Sequence, residues 1–307
     1  MRVLVIRLGA FGDFVQSFAP FAAIRAHHAG DHVTLLTTAP YAGLAAAAPW
    51  FDAVAIDARP AWWDLPGLLR LRRQLRGYNL VYDLQTSGRS SRYFRLAGRP
   101  RWSGIAAGCA LPHANPGRDA MHTRERQREQ LEHAGITAFP TPDLSWLPVS
   151  AHSVPGRYAV LAPGAAPSRP AKRWPAEKYA LLARHLADAG VIPVVIGAKG
   201  DADLAALIRL ICPLAIDLTG QTGLGELYDL ARRAALVVGN DTGPMHLAAL
   251  SGAPCLVLFG ADSDPAITAP RGPGGEWLAI LRTDDLTLLE VNEVAARAAA
   301  MLRPERS

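Results

Sequence analysis

Repeatedly along this chain an apolar run of strand length ends at a glycine-containing turn, and a segment with apolar residues at helical spacing follows. That repeat constrains the fold more than any other feature. It reads as strand–turn–helix–strand units, which build parallel sheets with helices on their faces. The first half offers strands at 2–8, 32–38, 53–57 and 80–84. Its helices run from the Gly9–Asp13 turn to about His28, over 64–76, and over the polar stretch 123–134. The second half offers strands at 158–163, 191–197, 236–240 and 254–260. Its helices start after Pro175 and end at Gly190, then recur over 201–211, 224–234, 243–252 and about 289–303. Residues 138–157 between them hold Pro140, Pro142, Pro148, Pro155 and Gly156, the best linker in the chain. The predicted organisation is therefore two α/β domains, 1–150 and 151–307, a comfortable division for 307 residues.

Composition narrows the class of function. Half the residues are apolar and 19% are charged, which excludes a disordered chain. The net charge of +5 and the pI of about 9.4 suit an anionic substrate or a membrane surface, but not a dedicated nucleic-acid binder. Cys109, Cys212 and Cys255 are far apart and form no metal-ligand spacing, so reduced, buried thiols in a cytosolic protein are expected. No apolar run reaches the ~18 residues of a membrane span, and the opening residues do not read as a signal peptide.

Four turns at strand ends carry groups that could do chemistry. Gly9-Ala10-Phe11-Gly12-Asp13 follows the first strand, where ligands sit in open parallel sheets. Its glycines are spaced GxxG, short of the dinucleotide fingerprint, and the next acid, Asp31, precedes the second strand instead of ending it. On spacing alone, Asp13 is a first-turn acid stabilised by the helix dipole. Pro163-Gly164 is followed by Ser168, Arg169, Lys172 and Arg173 before a helix start, which reads as an anion site or as a solvated basic loop. Gly239-Asn240-Asp241-Thr242-Gly243-Pro244-Met245-His246 joins a strand to a helix, with Thr242 and His246 on one face. Its density of polar groups favours a ligand site over simple capping. Tyr82-Asp83-Leu84-Gln85, with Arg89, Ser90 and Ser91 beyond, either lines a cleft or caps its own helix.

These stretches together resemble glycosyltransferase family 9, the ADP-heptose:lipopolysaccharide heptosyltransferases. The resemblance runs through RVLVIRLGAFGDFVQSFAP, YNLVYDLQTSGRSS, PGA…KRWPAEKYALLARHL, VVGNDTGPMHLAALSGAPCLVLFG and LLEVNEVAARAAAML. It implies a GT-B architecture, two Rossmann-like domains facing a central cleft, with the acceptor in the first and the nucleotide-sugar in the second. It also implies that the last helix packs back on the first domain. The implied reaction is an inverting, metal-independent transfer without a cofactor. Asp13 matches the family's base. Lys172 matches the lysine that neutralises the leaving diphosphate, and Ser168 a nearby phosphate-contacting hydroxyl. Thr242 and Gly243 match the phosphate-binding helix start, and Asp241 and His246 match sugar- and phosphate-side groups. The family's nucleoside-contacting acid follows the strand equivalent to VVIG; here the loop reads AKGDAD and Asp201 is the nearest candidate. Gly12, Asp13, Gln85 and Arg89 fall on the acceptor side. The implied partners are a nucleotide-sugar donor, ADP-heptose or another, and an anionic glycolipid or glycan acceptor. The implied place is the cytoplasm, at the cytoplasmic face of the inner membrane. The arginines at 70, 72, 73, 76, 89 and 92 meet that acceptor or membrane, or simply solvate a helix face.

Other readings use the same residues. A family 9 transferase acting on a surface polysaccharide, a protein or a secondary metabolite would keep the site and change only acceptor contacts. A two-domain nucleotide-sugar epimerase would turn over donor without acceptor. A non-catalytic nucleotide-sugar binder would not need both Asp13 and Lys172. A dehydrogenase fits least, given the glycine spacing.

Overall fold

A computed structural model describes residues 1–147, 152–273 and 277–304. The chain divides into two compact units, Met1–Trp146 and Leu147–Ser307. The expected boundary between residues 150 and 151 lies outside the described residues, as does Pro148 of the predicted linker.

The first unit runs β1 (Arg2–Ile6), α1 (Phe11–Gln16), α2 (Phe18–His27), β2 (His32–Thr37), α3 (Ala39–Ala47), β3 (Ala53–Ile56), α4 (Leu65–Leu75), β4 (Leu80–Asp83), α5 (Gly88–Leu96), β5 (Arg101–Gly104), β6 (Leu111–Pro112) and α6 (Thr123–His133). The second runs β7 (Tyr158–Ala162), α7 (Ala176–Asp188), β8 (Ile192–Val195), α8 (Ala202–Ile211), β9 (Ile216–Asp217), α9 (Leu224–Arg233), β10 (Leu236–Asn240), α10 (Gly243–Leu250), β11 (Cys255–Phe259), α11 (Pro265–Thr268), β12 (Leu278–Arg282) and α12 (Val291–Met301).

Each unit has one six-stranded sheet, ordered β3-β2-β1-β4-β5-β6 and β12-β11-β10-β7-β8-β9. All the pairings are parallel. Numbered within its own unit, each sheet has the order of a dinucleotide-binding fold, with the chain reversing direction between its first and fourth strands. The α/β class with two Rossmann-like sheets is thus observed. The switch points fall between β1 and β4 and between β7 and β10, so the carboxyl ends of those strands are where a ligand crevice opens.

The central strands explain the apolar runs. Val3, Leu4, Val5 and Ile6 of β1 are buried, as is all of β7, β10 and β11. Covered on both faces, such strands lose the alternation of a half-exposed sheet. Each buried aliphatic side chain contributes about 1.5–3 kcal/mol.

The predicted single helix from the Gly9–Asp13 turn to His28 is two helices, broken at Ser17. Pro20 explains the break. It has no N–H, so within one continuous helix it would forfeit a bond to Gln16, whereas at the third position of α2 that N–H has no intrahelical partner anyway. Gln127 of α6 donates to the Ser17 hydroxyl at 2.9 Å and fixes the break. The polar look of α6 has the same origin. Gln127 and Gln130 are buried, and Gln130 donates to the carbonyl of Asp83 at 3.0 Å, meeting the polar ends of the sheet.

In the second unit Trp174 is buried and donates its indole N–H to Leu289 O at 3.0 Å. This fixes the entry to α12, which packs on α7 and β10 and buries Val294 and Ala298 in the core. Among the described residues, no helix is long and apolar enough to cross a membrane.

Candidate active site

At the first switch point the turn after β1 must fold tightly. Gly9 has φ +119, and a Cβ there would lie 2.6 Å from the Tyr41 ring, so both conformation and space require glycine. The turn delivers Asp13 to the first turn of α1 with its side chain 42% exposed. One oxygen lies 3.3 Å from Arg7 Nη2, and the other accepts from the Ala10 N–H at 3.3 Å. Asp13 therefore does cap the turn, and it remains open to solvent.

Arg7 is one group that sequence reasoning missed. It closes the apolar run of β1, where its charge is masked by hydrophobic neighbours. Its side chain is only 5% exposed, and it donates to Leu84 O at 2.7 Å. Burial pulls its guanidinium down from the usual range, while Asp13 and Asp83 pull it back; a guanidinium keeps its charge regardless. Gln85 ties the two strand ends together, accepting from the Leu8 N–H at 2.8 Å. Gly12 is half-buried beside Asp13.

Asp83, at the end of β4, is buried. One oxygen accepts from the N–H groups of Gln85 and Thr86 at 3.1 and 3.0 Å. Burial lifts the carboxyl to about 6 against those hydrogen bonds and the charge of Arg7. Beyond it, Ser87 and Ser90 cap α5 reciprocally. Arg118 donates to the Thr86 hydroxyl at 2.6 Å and brings another guanidinium to this edge. Arg89 points elsewhere, donating to Pro60 O at 2.7 Å with its guanidinium 5.2 Å from the Trp62 ring centre.

At the second switch point Asn240 joins the ends of β7 and β10. Its amide donates to Pro163 O at 2.8 Å and accepts from Trp174 N and the Tyr179 hydroxyl, both at 3.1 Å. Gly239 allows the close approach, since a Cβ there would lie 2.5 Å from Met245 Sδ and 2.9 Å from Ala162 Cβ. Asp241 follows, its side chain 6% exposed. Its Oδ2 accepts from Lys172 Nζ and from the Ser263 hydroxyl, both at 2.6 Å. The two predicted residues are thus brought together, and Ser263, from the loop after β11, is an addition.

Thr242 is the N-cap residue of α10, yet its hydroxyl donates back to Asn240 O at 3.2 Å instead of capping the helix. Gly243 opens α10, and His246 is buried one turn further on. Ser168 is exposed in the turn that leads to Lys172. Asp201 is buried with its carboxylate accepting from the Ala198 N–H at 2.9 Å and 3.7 Å from Arg173. Gly164 and Gly197 make room for it: a Cβ at either would lie 2.5 or 2.9 Å from Asp201 Oδ2. Its carboxylate thus packs against the strand-end turns of this edge.

Chemically, the first edge holds a solvent-open carboxylate beside a fixed guanidinium, and the second holds an ammonium on a buried carboxylate at a helix start. The first can accept a proton, and the second can receive a phosphate. Among the described residues, no group of three His, Cys, Asp or Glu side chains is placed to hold a metal ion. The three cysteines are free and buried, and burial pushes the Cys255 thiol up to about 12.

Residues 68–276 match the family model described as glycosyltransferase family 9 (heptosyltransferase). The chain belongs to glycosyltransferase family 9. It is accordingly a glycosyltransferase. The family 9 match takes in Lys172, Asp201, Asp241 and His246 but begins beyond Asp13. A lipooligosaccharide heptosyltransferase 2 of Haemophilus ducreyi is 26% identical over an alignment covering 97% of this chain and 93% of that protein. Among solved structures, the ADP-heptose lipopolysaccharide heptosyltransferase II of Escherichia coli aligns with TM-score 0.75 at 22% identity, over 98% of both chains. The E. coli heptosyltransferase WaaC with ADP aligns with TM-score 0.78 at 22% identity, over 98% of this chain and 99% of that one. At that identity the structures bear on the fold alone.

Proposed function

We propose that this family 9 enzyme moves a heptose from ADP-heptose to a hydroxyl of a lipopolysaccharide inner-core acceptor, with inversion at the anomeric carbon and without a metal ion. The observation that carries the reading is the Lys172–Asp241–Ser263 group at the head of α10, a cation held ready at a helix start inside the family-matched span. The names of the relatives, heptosyltransferases of lipooligosaccharide and lipopolysaccharide, supply the sugar and the acceptor class. In this reading the second unit takes the donor and the first the acceptor, at the cytoplasmic face of the inner membrane.

The steps follow from the groups. Asp13 accepts the proton of the acceptor hydroxyl as its oxygen attacks the anomeric carbon. The bond from that carbon to the diphosphate breaks on the opposite face, and ADP leaves with the electron pair. Lys172 offsets the charge that develops on the diphosphate, aided by the α10 start at Thr242 and Gly243. Ser168 adds a hydroxyl to the phosphates, Asp241 and His246 flank the sugar and phosphate, and Asp201 faces the nucleoside. Gly12 and Gln85 belong to the acceptor side. Reaction requires the Asp13 edge to be brought to the donor.

Calorimetric titration with ADP, UDP, GDP and ADP-heptose, without added metal, tests the donor assignment. ADP binds and ADP-heptose binds more tightly. Preference for UDP or GDP would discard the heptose donor while leaving the fold and the pairings intact.

A further inference from the structure

The second unit holds a recess at the edge of its sheet opposite Asn240 and Asp241. It opens between the amino ends of β7 and β10, has a volume of about 310 Å³, and is lined by Gly156, Arg157, Tyr158, Arg233, Ala235 and Arg303. That volume is within the range of small-molecule sites, roughly 300–1,000 Å³. A five-residue strand, about 17 Å, separates it from the Lys172–Asp241 pair. Backbone bonds stitch its floor: Ala235 N–H donates to Tyr158 O at 2.8 Å, and Arg303 N–H donates to Ala235 O at 3.1 Å. The three arginines are held differently. Arg233 donates to Asp229 at 2.6 Å and to His152 O at 3.1 Å, and Asp229 also receives Arg232 at 3.0 Å. Arg303 donates to Gly252 O and lies 5.6 Å from the Trp277 ring centre. Arg157 donates from Nη2 to the carbonyl of Arg303 and pairs with no carboxylate among the described residues. Its Nε is buried and has no acceptor among them. A charged N–H group hidden from water without an acceptor is costly, and an anion in the recess would supply one.

We propose that this recess is a second ligand site, in which Arg157, flanked by Arg233 and Arg303, binds the phosphate of a small phosphorylated molecule. Arginine presents a planar fork of donors that matches phosphate oxygens two at a time. A phosphate offers three such oxygens to the three guanidiniums, where a carboxylate offers two. Asp229 is already divided between Arg232 and Arg233, so Arg157 is the anchor and the other two close around the ligand. The site is a recess between strand ends and not a raised basic surface, which suits a small molecule better than a polyanion. Its residues lie at the amino edge of the sheet, apart from the proton- and phosphate-handling groups, so the proposal goes beyond the transferase reading and does not depend on it.

The test titrates the full chain with inorganic pyrophosphate in a calorimeter, at low salt and without metal. It is run on the wild type and on Lys172→Ala, in which the cation of the other edge is gone. The Lys172→Ala chain binds pyrophosphate at one site, less tightly as salt rises. Adding Arg157→Gln weakens that binding at least tenfold; Arg157→Lys, which keeps the charge and loses the fork, weakens it less. A second variant leaves every arginine in place. Gly156 is exposed at the rim with φ +74, and a Cβ there meets nothing within 4 Å. Asp and Asn both tolerate that conformation. Gly156→Asp sets a carboxylate at the mouth and weakens binding at least tenfold, while Gly156→Asn stays within about threefold. The proposal is overturned if the Lys172→Ala chain binds no pyrophosphate, or if Arg157→Gln and Gly156→Asp, shown folded by thermal melts, bind it unchanged. It is also overturned if succinate binds as tightly, since the recess would then not select phosphate. Binding that appears only when residues 305–307 are removed would overturn it too, by making the chain's own end the occupant. Failure of ADP-heptose to bind or react would sink the donor assignment and leave this site standing.

Discussion

The two units share one strand order but arm it with opposite polarity. At the first switch point the buried partner is a cation, Arg7, 5% exposed, and the accessible partner is an acid, Asp13, 42% exposed. At the second the buried partner is an acid, Asp241, 6% exposed, and the more accessible one is a cation, Lys172, at 18%. In each pair the buried member is fixed by further bonds, to Leu84 O for Arg7 and to Ser263 for Asp241. The less buried member is free to meet a substrate. The same topological position therefore exposes an acid in one unit and a cation in the other, according to which charge is anchored inside; under the proposed reaction the first would accept a proton and the second would bind phosphate. A burial cost that would be prohibitive for a lone charge is met in both cases by the pair.

Removing the accessible acid breaks this comparison most directly. Asp13→Asn keeps the shape of the turn and removes the proton acceptor. Turnover falls by about 10²–10⁴-fold, while calorimetric affinity for ADP-heptose stays within about twofold if the second unit holds the donor as proposed. Wild-type turnover in the variant would remove Asp13 from the chemistry and leave the Arg7 pair a helix cap.

The second test concerns Asp83, the buried last residue of β4, whose place at the end of β10 is taken by the neutral amide of Asn240. Its carboxyl titrates near 6 in the fold and near 3.9 in the unfolded chain. Between those values the folded state holds a proton that the unfolded state has lost. Stability therefore falls as pH rises from about 4 to 6, by about 3 kcal/mol at most. Asp83→Asn flattens that segment in denaturant unfolding followed across pH. An unchanged slope would mean that Asp83 is ionised throughout, with Arg7 shared between two carboxylates.

Much of this is legible in the residues because the candidate groups sit at the ends of the most regular part of the fold. Buried central strands announce themselves as apolar runs, and the turns at their ends hold Asp13, Lys172, Asp241 and Thr242 in the matched motifs. What stayed hidden had weaker signals. Strands β6 and β9 are two residues each, and β5 is four residues opening on Arg101, so none shows a period. Strand β12 is apolar but half-buried at a sheet edge. Arg7 reads as the end of a strand, since nothing local tells a buried arginine from an exposed one. Ser263 lies 22 residues beyond Asp241, and only the parallel pairing of β10 with β11 brings their turns together. Arg89 shows the converse: its spacing near Gln85 suited an acceptor contact, but its guanidinium is engaged with Pro60 and Trp62.

The finest test asks how the second pair releases its cation. Asp241 Oδ2 receives both Lys172 and Ser263. When a diphosphate draws Lys172 away, Ser263 keeps the buried carboxylate partly satisfied, so the cost of freeing the lysine is lowered. Ser263→Ala removes that support. Donor affinity then weakens by several-fold, equivalent to about 1 kcal/mol for one hydrogen bond. Lys172→Ala costs more, about tenfold to a hundredfold, because a charged contact to phosphate is lost. The decisive quantity is their coupling. If Ser263 acts only by holding the carboxylate that Lys172 leaves, Ser263→Ala changes nothing once Lys172→Ala is made, and the double variant binds ADP-heptose like Lys172→Ala alone. Additive losses would mean that the serine meets the donor directly, and the mirror between the two switch points would end at the charge pair.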